Sequence, residues 1–336
     1  MPGFKHILEL RTSLFSAIRK FFRERNYLEV ETPVMVHTPA LELHIDAFRA
    51  GAGFLRTSPE LHMKRLLAAG CERIFQIGKC FRAGERGKLH NPEFTMLEWY
   101  RANADYMDIL VETRELLKYI AKACLGKLSF ERTIIPRLHG GRRAPSRRNL
   151  GNARPQNGQA SLRATLQGNN TIVALEKEWK IFSVEEIFKK HAGWNPVENF
   201  DEKRFDDDLV NRVEPNLPKD FPVVLKDYPA ENAALARLKE GDRRVAERWE
   251  LYLGGVEIAN AFSELTDAVE QRKRFEECVR DRTLRGAEAY ELDEDFLSAL
   301  ELGMPPSAGV ALGLDRLVML LAGARSLDDV LPFRQP

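Results

Sequence analysis

The sequence is poor in cysteine. Its four cysteines, Cys71, Cys80, Cys124 and Cys278, are scattered over 336 residues with no CxxC pair and no histidine cluster at zinc spacing. That pattern excludes a disulfide framework and a zinc module, and structural thiols are the expectation. An excess of charge is also missing: 51 lysines and arginines stand against 50 acids, a formal net charge of +1. No global basic field therefore argues for a polyanion partner. No apolar run approaches the length of a membrane-spanning helix and the N-terminus carries no signal-peptide pattern, so a cytoplasmic protein is expected. The usual glycine loops for nucleotides are absent too. Gly84-Glu85-Arg86-Gly87-Lys88-Leu89 lacks the spacing and the hydroxyl of a P-loop, and no GxGxxG follows a strand, which argues against P-loop and Rossmann ATP sites.

What is present suits one large globular domain: 44% apolar and 30% charged residues, on a chain long enough for a substantial core. Apolar spacing predicts a helix over 7–25, a strand at 27–31 ended by Thr32-Pro33, and a short helix over 63–69. Residues 73–77 and 94–100 read as an antiparallel pair with a long Gly- and charge-rich connection over 83–91. Helical spacing returns over 105–124. Order resumes at Trp179, and 243–253, Gly254-Gly255 and 256–262 read as strand, turn, strand. Residues 268–285 and the region of Phe296, Leu297 and Leu300 read as helices, and 309–321 as a glycine-punctuated strand running into an apolar helix.

The stretch 132–175 differs in kind. It holds eight arginines, no lysine and no acid, among many Gly, Asn and Gln residues. Such a composition buries little apolar surface, so a basic, disordered or loosely ordered insert is the expectation. A flexible insertion, a basic arm for RNA or an acidic partner, and a locally altered reading frame all fit it.

Two arginines stand where a triphosphate could be held. Arg82 ends a predicted strand and Arg316 opens a predicted helix; the always-charged, bidentate guanidinium suits phosphate, although a surface ion pair is the commoner use of either alone. In ERWELYLGGVEIANAFSEL, Glu250, Glu257, Asn260 and Glu264 interrupt apolar strand positions. Their carboxylates could hold Mg²⁺ or a cationic ligand, or could line the exposed face of an antiparallel strand.

Taken together, these segments resemble the three signature motifs of class II aminoacyl-tRNA synthetases, in their lysyl branch. RKFFRERNYLEVETP resembles motif 1, RIFQIGKCFRAGERGKLHNPEFTMLEWY motif 2 and GVALGLDRLVML motif 3, with RTSPELHMKRLL and EIANAFSELTD as lysyl-branch signatures. The resemblance runs from about residue 5 to 331. It implies a single α+β catalytic domain over 1–336, interrupted by the basic insert, with a mainly antiparallel six- or seven-stranded sheet flanked by helices. It also implies a homodimer formed through residues 7–33.

The same resemblance implies roles. Arg82 would hold the α-phosphate of ATP, Arg316 the γ-phosphate, and Ala83, Gly84, Asn91, Ile258 and Gly313 would contact the nucleotide. Glu250 and Glu257 would carry Mg²⁺, with Glu257 also at the nucleotide. Ser58, Pro59 and Glu60 would bind the amino acid, Glu60 receiving the amino group near the reacting carboxylate. Asn260 would orient that carboxylate, and Tyr100 with Glu264 would recognise a distal ammonium. Two positions depart from the pattern: Gly84 stands at the usual motif 2 glutamate, and Ala261 where the branch often has glycine.

Motif 1 starts within a few residues of Met1, so no N-terminal anticodon-binding OB-fold is expected. In this the chain is similar to the short lysyl-tRNA synthetase paralogues that attach (R)-β-lysine to a lysine ε-amine of elongation factor P. Ala311, where true lysyl synthetases usually have glycine, agrees: a methyl group on the pocket floor disfavours an α-amino acid pose and suits an amine moved to the β-carbon. Two alternatives compete. A truncated lysyl-tRNA synthetase charging tRNA is opposed by the near-neutral charge and by Ala311. A non-catalytic regulatory paralogue is opposed by the presence of both Arg82 and Arg316.

Overall fold

The computed structural model describes residues 4–134 and 169–334. It opens with α1 (Lys5–Arg23), whose Ile7, Leu14, Ala17, Ile18, Phe21 and Phe22 recur at helical spacing and are all buried. A two-residue strand, β1 (Leu28–Glu29), follows, then a small sheet of β2 (Met35–Val36), β3 (Arg49–Ala50) and β4 (Gly53–Leu55). Helix α2 (Glu60–Ala68) starts three residues before the spacing predicts, with Pro59 at its N-cap position. The pair β5 (Arg73–Phe81) and β6 (Glu93–Ala102) is antiparallel, with the expected long connection. Next comes α3 (Tyr106–Leu125), begun by an Asp105–Asp108 capping box and ended by Gly126 in the left-handed region.

Strands β7 (Ser129–Ile134) and β8 (Asn169–Ala174) pair antiparallel. They trim the expected insert from both ends. Val173 and Leu175 are buried in the main core, and the Arg132 side chain lies against the Gly254 turn. The rest of the predicted basic insert lies outside the described residues.

The chain continues through β9 (Lys180–Ser183), α4 (Val184–His191), α5 (Glu202–Asp208), β10 (Val223–Pro229) and β11 (Leu238–Lys239). The hairpin β12 (Asp242–Leu253) and β13 (Val256–Ser263) turns at Gly254-Gly255, both with positive φ. Helices α6 (Ala268–Leu284) and α7 (Glu294–Gly303), strand β14 (Ser307–Gly313) and α8 (Leu314–Leu321) complete the fold.

The described strands build one nine-stranded sheet in the order β1-β5-β6-β14-β13-β12-β10-β9, with β11 paired to β12. Its six central strands are antiparallel throughout, and only the short outer strands β1 and β9 pair parallel. The expected six or seven strands are this centre. The additional ones are edges of two to four residues, too short to carry a periodic signal.

Alternation along the strands divides the sheet into two faces. Leu97 and Trp99, Val310 and Leu312, Ala259 and Ala261, and Trp249 and Leu251 point to a core shared with residues of α1, α3 and α8. The intervening residues, among them Glu98, Tyr100, Ala311, Asn260 and Glu250, point the other way, toward a cleft.

Candidate active site

Register brings the polar residues of this second face into rows. Glu98 is opposite Ala311, Ala311 opposite Asn260, and Asn260 opposite Glu250. One step along, Tyr100, Gly309, Phe262 and Arg248 form a parallel row. Side chains directly opposite on one face are near neighbours, so β6, β14 and the β12–β13 hairpin supply one continuous surface. The small Ala311 leaves a gap in that surface, and Gly309 makes room for the Tyr100 ring laid across it.

The gap opens into two adjoining cavities. The larger, about 300 Å³, is lined by Arg82, Asn91, Glu250, Glu257, Ile258, Gly313 and Arg316, among others. The smaller, about 80 Å³, is lined by Ser58, Glu60, Glu98 and Tyr100, with Gly309 and Phe262 on its floor. Glu42, Arg82, Arg248, Asn260 and Ala311 line both, and so mark the junction.

Arg82 follows the end of β5, where its guanidinium lies over the Phe94 ring at 5.3 Å and Glu85 is 3.7 Å away. Its buried Nε has no hydrogen-bond partner among the described residues. Burial works against the Arg82 charge, but Glu42 and Glu85 more than offset it, and its pKa is raised. Arg316 opens α8, whose first turn is fixed through Asp315: this carboxylate accepts from Thr95 N at 2.7 Å and Arg11 Nη1 at 2.6 Å. The Arg316 guanidinium donates to Leu89 O (3.0 Å), Glu257 Oε2 (2.9 Å) and Glu257 O (2.8 Å), and lies 2.8 Å from His90 Nε2. Because a guanidinium only donates, His90 must accept at Nε2 and carry its proton on Nδ1. Burial and the Arg316 charge agree with that, holding His90 below the usual histidine range.

Glu250 accepts from Arg248 Nη2 and from Tyr252 OH, both at 2.8 Å. Arg248 also donates to Asn260 Oδ1 at 3.0 Å, which fixes the amide of Asn260 at the junction. Glu250 and Glu257 are two carboxylates on one cavity, a donor set that fits Mg²⁺ held jointly with substrate phosphates. Among the described residues there is no cluster of three or more metal-type ligands.

The smaller cavity ends in an acidic group. Glu98, buried, accepts from Ser58 Oγ (2.7 Å) and Tyr100 OH (3.2 Å). Burial, reinforced by the Glu60 charge, pushes its carboxyl up to about 8. Glu60 Oε1 and Glu264 Oε2 each lie 2.5 Å from the fully buried Lys64 Nζ. Burial also raises Glu264, against the pull of Lys64. Glu60 and Glu264 thus share one ammonium, while the neighbouring Glu98 carboxyl is held by two hydroxyls and by no ion pair among the described residues.

Most of the predicted site converges. Arg82, Arg316, Asn91, Ile258, Gly313, Glu250 and Glu257 meet at the larger cavity; Ser58, Glu60, Tyr100 and Asn260 meet at the smaller one. Four predicted residues stand back from the walls. Pro59 caps α2, Ala83 N donates to Asp46 O at 2.7 Å, and Gly84 turns the chain at φ +76°. Glu264 is fully buried, with Oε1 beside the Tyr100 ring, 2.6 Å from where a Gly309 Cβ would stand, and Oε2 on Lys64. Sequence reasoning missed Glu98, Glu42, Arg248, Lys64 and His90. Only Glu98 carried a local signal, being an acid set in the apolar run Met96-Leu97-Glu98-Trp99 two residues before Tyr100.

The comparisons with known proteins show the family. The family model of class II tRNA synthetases (D, K and N) matches residues 1–335. The elongation factor P–(R)-β-lysine ligase of Salmonella typhi is 37% identical over 96% of this chain and 93% of its own length. The proteins of the same name from Salmonella arizonae and Salmonella heidelberg show the same identity and coverage. With its motifs, its antiparallel sheet and its paired cavities, the chain belongs to the class II tRNA synthetase family.

Proposed function

We propose that this protein uses ATP to activate (R)-β-lysine, or lysine, as its adenylate and transfers the acyl group to a lysine ε-amine of elongation factor P. The observation that carries the reading is the acidic end of the smaller cavity, where Glu60 and Glu264 share the single Lys64 ammonium and the buried Glu98 beside them has only hydroxyl partners. A buried surplus of carboxyl groups calls for a cation, and the distal ammonium of a lysine-like substrate would supply one. The names of the relatives support the same substrate and acceptor.

In this reading the distal ammonium lies toward Glu98, Tyr100 and Glu264, and the amino group near the carboxylate lies toward Glu60. Asn260 and Arg82 receive the reacting carboxylate at the junction. The carboxylate oxygen attacks the α-phosphorus in line while the bond to pyrophosphate breaks. Arg82 and Arg316 neutralise the charge on the phosphates, and no covalent protein nucleophile takes part. Glu250 and Glu257 are the residues that would hold Mg²⁺, which supplies charge neutralisation at the phosphates when bound. The acceptor amine then forms a bond to the acyl carbon, and AMP leaves with the electrons of the broken C–O bond.

The site of action is read as cytoplasmic; among the described residues no helix is long and apolar enough to cross a membrane. A homodimer through residues 7–33 fits the exposed apolar side chains of Leu8 and Leu28, and sedimentation equilibrium giving a monomer at micromolar concentration would remove it.

The test of the function is radiolabel transfer from (R)-β-lysine and from L-lysine, with ATP and Mg²⁺, to elongation factor P and to tRNA in parallel. Label on the protein, stronger with β-lysine, is expected. Label on tRNA alone would replace this reading by a synthetase.

A further inference from the structure

Glu42 was not singled out by any sequence motif, yet it lines both cavities. It lies in the loop before β3, and that loop is held with unusual thoroughness. Arg282 of α6 is fully buried, and its guanidinium donates to Glu42 O (2.8 Å), Leu43 O (3.3 Å), Ile45 O (3.1 Å) and Asp46 Oδ1 (2.6 Å). Its Nε donates to Glu288 O at 2.8 Å. Asp46 O in turn accepts from Ala83 N at 2.7 Å, which ties the loop to the residue after Arg82. A buried arginine that uses its donors on one loop fixes the backbone from which a single carboxylate enters the junction. Such support is what a side chain needs if it is to meet a ligand at a set position.

The other acids of the cleft already have partners. Glu60 and Glu264 are paired with Lys64, Glu250 with Arg248, and Glu257 with Arg316. Glu98 accepts two hydroxyls at the closed end. Among the described residues, no ion pair or hydrogen bond holds the Glu42 carboxylate. Burial raises its pKa, with the nearby Arg82 charge opposing.

We propose that Glu42 is a specificity-determining residue: its carboxylate receives the substrate amino group nearest the reacting carboxylate, alongside Glu60, whose charge Lys64 already balances. The assignment rests on the reading given under Proposed function and extends it. If the reacting carboxylate faces Arg82 and Asn260 at the junction, an amine one or two carbons away reaches the wall that Glu42 shares with them. The Ala311 methyl, opposite Asn260 and Glu98, takes up floor space in the same cavity that Glu42 lines.

The test is equilibrium binding by calorimetry to the full-length protein and to its Glu42→Gln and Glu42→Ala variants. Two ligands are compared: (R)-β-lysine, and 6-aminohexanoate, which keeps the carboxylate and the distal ammonium but has no second amine. Both variants should lose roughly 10- to 100-fold in affinity for β-lysine and less than about threefold for 6-aminohexanoate. Equal losses for the two ligands, or none for either, would overturn the assignment. So would unaltered binding accompanied by slow transfer to elongation factor P, which would move Glu42 to the incoming acceptor amine. Binding of ATP and the melting temperature of each variant identify a variant that has merely lost its fold, and agreement between Gln and Ala guards against one poor replacement. If wild-type protein binds neither ligand, the substrate reading itself fails, an outcome distinct from binding that Glu42 does not influence.

Discussion

Lys64 Nζ lies 2.5 Å from Glu264 Oε2, and both side chains are wholly buried. A second contact of 2.5 Å joins the same ammonium to Glu60, one turn back on α2. The pair links the helix that begins the amino-acid pocket to the strand end that closes it. Replacing Lys64 by Met would leave two buried carboxyls without their cation, a change that typically costs about 3–5 kcal/mol. The carboxyls can then escape by taking up protons, so the loss should be smaller at pH 5 than at pH 8. Urea denaturation at the two pH values measures it, and an unchanged midpoint at pH 8 would show that the ammonium is dispensable.

The raised carboxyl of Glu98 gives a pH dependence with a definite sign. The folded protein holds a proton at Glu98 up to about pH 8, whereas an ordinary glutamate releases it near 4.5. Its contribution to stability is therefore complete below about pH 4.5 and is lost as the pH rises through 8. An ammonium ligand favours the ionised form. Lysine affinity should thus rise with pH and level off near 8, with a proton released on binding at pH 7. Calorimetry in two buffers of different ionisation enthalpy counts that proton, and Glu98→Gln should reduce both the slope and the release, leaving the share of Glu264, which burial also raises.

Gly309 has no substitute at its position. A Cβ there would overlap the Tyr100 ring and come within 2.6 Å of Glu264 Oε1. Gly309→Ala should raise KM for the amino acid by at least about tenfold, in the range one extra methyl commands in a closed pocket. ATP binding should change little, because Gly309 lines only the smaller cavity. Parallel binding isotherms for the two substrates separate the effects; matching losses would mean that the sheet itself had moved.

Arg334 reaches back across the nucleotide side of the cleft. Its Nη2 donates to Gly87 O (2.5 Å) and His90 O (2.7 Å), its Nε to Asn91 Oδ1 (3.1 Å), and it is paired with Asp328. It is a positioning residue for the 83–92 loop. Arg334→Ala should raise KM for ATP several-fold while leaving that for the amino acid within about twofold. Lysine should not rescue it, since a single ammonium cannot reproduce a planar fork of donors. Equal shifts for both substrates would argue for a general loss of stability.

The elements that announced themselves in the sequence are those whose signal is local. The apolar face of α1, the Gly254-Gly255 turn between β12 and β13, and the passage from β14 into α8 are where the spacing places them. Strand β10 was not legible. Its Val223, Val224 and Leu225 are all fully buried, so it presents a continuous apolar run rather than an alternation. Its partner β9 pairs with it in parallel from some forty residues away, and nothing local records such a pairing.

At the site, the residue types were readable and their company was not. Arg82 and Arg316 could be read as phosphate-ligand candidates only through the motifs around them, since either arginine alone is more commonly a surface ion pair. The pairing of Lys64 with Glu264 spans two hundred residues, and the place of Glu42 at the junction depends on Arg282, still further along the chain. Those relationships exist only once register is set.

The pairing of β7 with β8 has a consequence for design. Ile134 and Asn169 are register partners, so the chain leaves the body and returns to it at one point. The entropy of closing a loop grows only with the logarithm of its length, and exchanging the residues between these two for a tight four-residue turn changes that term by about 2 kcal/mol. The hairpin is therefore a natural socket: a tag, a reporter domain or a minimal turn can be installed there with little thermodynamic penalty, and the cleft on the far side of the sheet need not register the exchange.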